Sequence, residues 1–270
     1  MPKVEELLGN LEAWFSPVDG SLTAFSGGVD SALVLFLSQR FLGEKGIGVI
    51  ADSPSLKRRD LHQAKDFCQQ FGIKLRIIKT GELDNPNYAS NPNNRCFFCK
   101  DTLYRTMEDI HQEYPGYYLL NGTNQDDLGD YRPGLQAAQN HKVHSPLSDC
   151  GIGKKEVRLL AKHLELPVWN KPASPCLSSR IPYGQEVTKE KLQQIEKAET
   201  LLNQLGFEEV RVRHFGAEAR IEVPAYELEK LLPLKTEIQL AFSELGFETA
   251  VIDTEGLVSG KLNRSIVSHG

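Results

Sequence analysis

No stretch of this sequence stays apolar for long. The longest purely apolar run near its start covers residues 32–37, whereas a membrane-spanning helix needs about 20 such residues. Glu5, Glu6 and Glu12 interrupt any secretory-signal pattern, so a cytoplasmic location is expected and a membrane partner is not. Positive charge is also short: 31 Lys and Arg against 36 Asp and Glu give a formal net charge of −5. No overall basic field draws the chain to nucleic acid or anionic lipid, and only a local basic groove is left open. Cysteine comes in an odd number, 5, which excludes complete internal disulfide pairing. In a reducing compartment spaced cysteines read as metal ligands or reactive thiols. The 7 histidines show no metal-binding spacing; His141 and His144 read as surface residues.

What is present is an ordinary globular composition, 40% hydrophobic and 25% charged over 270 residues, enough for one large core or for one medium and one small core. Apolar strand patterns at 22–25, 47–51, 74–78 and 117–120 alternate with helical patterns at 31–39 and 58–71. That alternation predicts right-handed crossovers and a parallel α/β sheet with ligands at its carboxyl edge. Residues 81–95, rich in Asn and Pro, read as a loop. After about Arg180 the pattern changes. Leu205-Gly206-Phe207-Glu208 recurs as Leu245-Gly246-Phe247-Glu248, each copy ending a helix and opening a strand pair. The second pair falls at 250–253 and weakly near Leu257. This predicts a small α+β domain at 181–270 after a larger domain at 1–180, with Pro233 breaking the second helix.

Ser26, Gly27, Gly28, Val29, Asp30 and Ser31 lie between the first strand and the first helix. Glycines allow close backbone approach, amides at a helix start face an anion, and the helix dipole adds to the attraction. No Gly-Lys-Ser/Thr follows, so this is not a Walker A loop and gives no case for γ-phosphoryl transfer. Asp30, the loop's only carboxylate, reads as a metal or water ligand or as a cap of the helix. Ala51, Asp52 and Ser53 end the second strand where ribose or adenine belongs. Asn121, Gly122, Thr123 and Asn124, with Asp126 and Asp127, end a later strand in the same crevice.

Cys96 and Cys99 form a C-x-x-C, and Cys176 lies far along the chain in Pro175-Cys176-Leu177-Ser178-Ser179-Arg180. Three thiolates are too few for a closed zinc site unless Cys150, a histidine or an acid completes it. They are the right number for a 4Fe-4S cluster with one iron open. A zinc staple, a redox pair and packing cysteines stay open on the residues alone. Cys68 falls on an apolar helix stripe and reads as packing; Cys150 has no assignment.

The loop hexapeptide resembles the signature of the PP-loop ATP pyrophosphatases (the HUP, or adenine nucleotide alpha hydrolase-like, fold), which implies ATP, Mg²⁺ and products AMP and pyrophosphate. Over nearly its full length the chain is similar to the LarE family of sulfur transferases, which serve the nickel-pincer cofactor of lactate racemase. The likeness rests on Ser26 to Ser31, on Pro175 to Arg180 with Ile181-Pro182-Tyr183-Gly184, and on Val210-Arg211-Val212-Arg213. It implies that the carboxylates of pyridinium-3,5-biscarboxylic acid mononucleotide are adenylated and then converted to thiocarboxylates. Arg211, Arg213 and Arg264 match the family's phosphate-binding arginines, Ser179 and Arg180 match positions beside the reactive Cys176, and Glu199 and Glu222 match acidic residues near it. Some members have only the counterpart of Cys176 and sacrifice its sulfur. The presence of Cys96 and Cys99 matches the branch in which a 4Fe-4S cluster carries sulfide from a donor. The resemblance also implies a homo-oligomer, hexameric in relatives. A PP-loop tRNA thiolase and a non-catalytic nucleotide-binding regulator are the competing readings. The acidic balance and the lack of paired terminal zinc motifs count against the first, and Cys176 beside Arg180 against the second.

Overall fold

The computed structural model describes residues 2–129, 132–258 and 261. The chain divides into two units: residues through Glu82 with Asn94–Ser174, and Leu83–Asn93 with the chain from Pro175 onward. Among the described residues no helix is long and apolar enough to cross a membrane.

The larger unit is a parallel α/β sheet. Its strands are β1 (Ser21–Ala24), β2 (Gly46–Ala51), β3 (Lys74–Ile78) and β4 (Tyr118–Leu120), in the spatial order β3-β2-β1-β4. All pairings are parallel. β1 and nearly all of β2 are buried, which suits central strands covered on both faces. One face packs Phe25, Ile50 and Leu120 against Leu33, Val34, Leu37 and Phe67 from the helices Val29–Leu42 and Arg58–Gln70. The other face packs Leu22, Val49 and Leu119 against Tyr104, Met107 and Ile110 of the helix Arg95–His111, with Ala137 and Ala138 of Pro133–Asn140. Each fully buried Leu, Ile or Phe stabilises by roughly 1.5–3 kcal/mol, so both layers are tied to the sheet.

The strand order reverses at β1. The chain steps outward from β1 to β2 and β3, then returns to place β4 on β1's other side. Between β1 and β4 the outgoing loops part, and such switch points form a crevice at the carboxyl ends of the strands.

The smaller unit has β5 (Arg211–Phe215) antiparallel to β6 (Glu218–Glu222), and β7 (Thr249–Ile252) parallel to β6. The helices Lys189–Gln204 and Lys235–Glu244 cover it through Ala198, Leu202, Ile238 and Phe242. The two Leu-Gly-Phe copies close these helices alike: the Phe207 amide donates to Leu202 O at 3.1 Å and the Phe247 amide to Phe242 O at 3.0 Å. Both phenylalanines then plug the core. Pro233 sits in a 3-10 turn, Leu232–Leu234, which separates Leu228–Leu231 from Lys235–Glu244. The expected strand near Leu257 is not formed among the described residues. Leu257 gives one hydrogen bond to Val223 O, at 2.8 Å.

The stretch read as a loop, 81–95, is partly helical, with a short helix at Pro86–Ala89 capped by the Asn85 side chain. Tyr88 and Asn91 are buried within the smaller unit. The Tyr88 hydroxyl lies 2.7 Å from Ser178 Oγ, and Asn91 Nδ2 donates to Pro182 O at 2.8 Å. Asn and Pro marked the turns correctly, but these side-chain bonds, each spanning about ninety residues of chain, left no periodic trace.

Candidate active site

The phosphate loop runs from the end of β1 into the helix Val29–Leu42. Gly27 has φ +75°, a region that side-chain-bearing residues rarely adopt. Ser31 Oγ donates to Gly28 O at 3.1 Å and lies 3.0 Å from Ser26 Oγ. The Ser26 amide donates to Ser31 Oγ at 3.2 Å. These bonds close the loop on itself. Gly28 occupies the N-cap position, and no side chain caps the helix. Its first-turn amides therefore face outward as donors for an anion. Asp30 stands within the first turn, so it is not the cap.

Gly122 presses onto this loop from β4. A Cβ at that position would lie 2.5 Å from the Ser31 amide nitrogen, so only glycine allows the approach. Asn121 Oδ1 holds the turn by accepting from the Thr123 amide at 2.9 Å and Ser145 Oγ at 2.8 Å. On the β2 side the Asp52 carboxylate is bound by Arg58, which also donates to Ser53 O at 2.7 Å. Ser53 Oγ lies 2.7 Å from Ser55 Oγ. The loop, Ala51 to Ser53 and Asn121 to Asn124 thus all stand at the carboxyl edge of one sheet.

Asp30 is half-buried. Burial above all pushes its carboxyl above the ordinary value; the Asn124 hydrogen bond opposes this and the nearby Asp127 carboxylate adds to it. Asn124 Nδ2 donates to Asp30 Oδ1 at 2.8 Å. That leaves Asn124's own Oδ1 buried with no hydrogen-bond partner, an expense that folded proteins rarely tolerate without a ligand or water. An orphan carbonyl oxygen beside a carboxylate is a donor set suited to a hard divalent cation such as Mg²⁺.

Cys96 and Cys99 occupy the first turns of the helix Arg95–His111, Cys96 exposed and Cys99 half-buried. A spacing of three residues puts both on one helix face. Among the described residues no three His, Cys, Asp or Glu side chains gather as a metal-binding group. Cys68 is buried and its thiol is pushed up to about 12 by desolvation, the mark of an inert packing residue. Cys150 is half-buried, raised by burial and then by Asp149, with Sγ 3.7 Å from Asn10 O.

In the smaller unit the Cys176 segment is built on a buried charge network. Arg180 is 1% exposed. It grips Glu199 with two bonds, Nε to Oε1 at 2.7 Å and Nη2 to Oε2 at 3.3 Å. Its Nη1 donates to Pro175 O at 2.9 Å, to Cys176 O at 3.3 Å and to Ser179 Oγ at 2.9 Å. Arg213, also buried, donates to Ser179 O at 2.8 Å and to Glu222 Oε2 at 2.7 Å. Glu199 Oε1 accepts the Val212 amide at 3.1 Å. Arg180 and Arg213 together hold the backbone around Cys176 while their carboxylates neutralise them. Arg211 differs: it is half-buried, and among the described residues its guanidinium has no hydrogen bond or ion pair. Burial, then the neighbouring Arg180 and Arg213 charges, lower its pKa. Arg264 lies outside the described residues.

One expectation changes here. His141 is not a surface residue: its side chain is 11% exposed, with Nε2 2.9 Å from Asp101 and Nδ1 3.0 Å from Glu108. His144 is exposed and stacks on Tyr118 at 4.6 Å. The sequence reading also missed Lys171, whose Nζ donates to Gly27 O in the phosphate loop at 3.2 Å. Its place five residues before Cys176 was the only available signal.

The pyridinium-3,5-bisthiocarboxylic acid mononucleotide synthase of Lactiplantibacillus plantarum is 32% identical over 244 residues, covering 90% of this chain and 88% of its own length. The chain belongs to the LarE family. An uncharacterised protein of Synechocystis sp. is 44% identical over 263 residues, 97% of this chain and 98% of its own. A family model described as NAD synthase matches residues 15–92, the span that holds β1, the phosphate loop, β2 and β3. A glutamine-hydrolysing GMP synthase polypeptide of Sulfurisphaera tokodaii is 29% identical over 202 residues, 68% of this chain but only 54% of its own. The span that holds the phosphate loop thus also matches a family model of another name. The likeness to the LarE-family synthase extends through Cys176 and the arginine strand.

Proposed function

We propose that this LarE-family chain is an ATP-dependent sulfur transferase that adenylates the carboxylates of pyridinium-3,5-biscarboxylic acid mononucleotide and converts them to thiocarboxylates for a nickel-pincer cofactor such as that of lactate racemase. The observation that carries this reading is the backbone-built anion loop at the switch point of the sheet, in a chain whose relatedness to the synthase spans both units.

A carboxylate oxygen is a poor leaving group. Attack of that oxygen on the α-phosphorus of ATP expels pyrophosphate and makes an acyl adenylate, and a sulfur nucleophile then displaces AMP. The amides of Gly27 to Ser31 hold the β and γ phosphates. Asp30 and Asn124 would hold Mg²⁺, which supplies charge neutralisation for the departing pyrophosphate. Ala51, Asp52, Ser53, Gly122 and Thr123 border the nucleoside. Arg211 binds the substrate's phosphate, helped by Arg213 and Arg264, since a guanidinium fork matches phosphate oxygens. Arg180 and Ser179 hold Cys176 in place. The part from about residue 181 onward serves substrate binding and assembly into a homo-oligomer, in the cytoplasm.

For the sulfur, Cys96, Cys99 and Cys176 would together hold a 4Fe-4S cluster that supplies sulfide taken from a donor. The C-x-x-C on one helix face suits two of its ligands. The alternative source is Cys176 itself. Anaerobic purification with iron and sulfide analysis, followed by intact mass after turnover, separates the two. Bound iron and an unchanged chain mass support the cluster. Iron-free protein in which Cys176 loses the mass of H₂S supports sacrifice. Absence of any thiocarboxylate product with MgATP, substrate and sulfide sinks the whole proposal.

A further inference from the structure

The loop's amides can serve an anion only if the peptide planes are turned the right way, and one side chain outside the loop controls this. Lys171 is 18% exposed, and its ammonium bridges Gly27 O at 3.2 Å and Asp60 Oδ1 at 3.0 Å. The other carboxylate oxygen of Asp60 accepts Ser174 Oγ at 2.9 Å. Asp60 is buried in the first turn of the helix Arg58–Gln70. Arg158 fixes the same stretch of backbone by donating to Trp169 O at 3.0 Å and Lys171 O at 3.1 Å.

In a trans peptide the C=O and the next N–H point in opposite directions. Holding Gly27 O outward on Lys171 therefore turns the Gly28 N–H inward. That N–H indeed faces the loop interior, 3.4 Å from Ser26 Oγ. At φ +75° Gly27 has no side chain to restrict this peptide, and glycine's freedom would let it flip. A flipped peptide would present a carbonyl oxygen to the phosphates in place of an N–H donor. We propose that Lys171, anchored by Asp60, is a positioning residue that locks the Gly27–Gly28 peptide in its anion-binding orientation. It does so from the strap that leads directly into Pro175 and Cys176. The inference rests on the nucleotide reading of the loop but not on the fate of sulfur.

MgATP binding to the full chain, measured by calorimetry beside a thermal-unfolding control, tests it. Lys171→Met is expected to weaken MgATP about ten-fold, the worth of one well-placed charged hydrogen bond, in protein that the unfolding control shows to be folded at the assay temperature. Lys171→Arg, which keeps a donor to Gly27 O, is expected to recover most of the affinity. In pyrophosphate release the loss falls on the KM for ATP more than on kcat. Unchanged MgATP affinity in Lys171→Met overturns the inference, as does a loss that Lys171→Arg does not repair. Should Lys171→Met fail to fold, Asp60→Asn frees the lysine from its anchor, and parent-like affinity there overturns it equally. A parent chain that binds no MgATP fails differently, taking the nucleotide reading of the loop down with the inference.

Discussion

The phosphate loop and the Cys176 segment hold their reactive groups by opposite means. The loop is nearly all backbone: glycines, a helix start and two serine hydroxyls within six residues of each other. The Cys176 segment is held by side-chain charge, with Arg180 reaching Glu199 and Arg213 reaching Ser179 O across 19 and 34 residues of chain. A backbone site tolerates change except where a Cβ intrudes or a peptide turns. A buried charge network fails when any one partner is lost, because the remaining charge has no water to turn to.

The strongest way to part the two regions is at the thiol. Cys176→Ala is expected to abolish thiocarboxylate formation while MgATP binding, measured by calorimetry, stays at the parental level. Loss of nucleotide binding in that variant would mean the two regions do not divide the work in this way. Next in size is the network itself. Arg180→Met leaves the Glu199 carboxylate buried without its arginine and is expected to cost about 3–5 kcal/mol in urea unfolding. A loss below about 1 kcal/mol, the range of exposed pairs, would show that the pair is not buried as described.

These two regions were also unequally legible. The hexapeptide Ser26 to Ser31, the strand–helix alternation and the Leu-Gly-Phe repeat all lie in short windows, where glycine placement and apolar period carry the information. They led to the parallel sheet, with ligands expected at its carboxyl edge, and to a glycine loop between the first strand and the first helix. Arg180, Arg213, Glu199 and Glu222 were visible only as matches to a family, and the resemblance assigned Arg213 to phosphate. The geometry adds that its guanidinium is engaged by Glu222 and Ser179 O, while the Arg211 guanidinium beside it has no such partner among the described residues. Tyr88, Asn91 and Lys171 gave no usable signal, since each acts through long-range hydrogen bonds. A fourth strand was over-read because the second Leu-Gly-Phe copy implied a full repeat.

Gly122→Ala sharpens the backbone side of the comparison. Its Cβ would meet the Ser31 amide at 2.5 Å, and overpacking of that kind costs about 1–3 kcal/mol. Weaker MgATP binding is expected, read by calorimetry, with the arginine network unaffected. Arg211→Ala tests the charge side in reverse. An uncommitted guanidinium contributes little to folding, so stability should move by no more than about 0.5 kcal/mol, while the KM for the mononucleotide substrate rises.

The smallest effect concerns pH. Burial draws the His141 imidazole down, but Asp101 and Glu108 on its two nitrogens outweigh this and hold its pKa above the ordinary value. Its stabilising contribution is therefore fully present below the unfolded value of about 6.5 and is lost as pH rises through the raised folded value. His141→Gln should flatten that alkaline decline in a series of thermal unfolding midpoints. The histidine links the helix bearing Cys96 and Cys99 to the end of Pro133–Asn140.

The proposed role of the loop is to direct attack to the α-phosphorus of ATP. Incubating the full chain with MgATP labelled at the α-phosphate, pyridinium-3,5-biscarboxylic acid mononucleotide and sulfide, then resolving the nucleotides, checks this step. Labelled AMP with an equal amount of pyrophosphate is expected, dependent on the pyridinium substrate. Labelled ADP with free phosphate would contradict it.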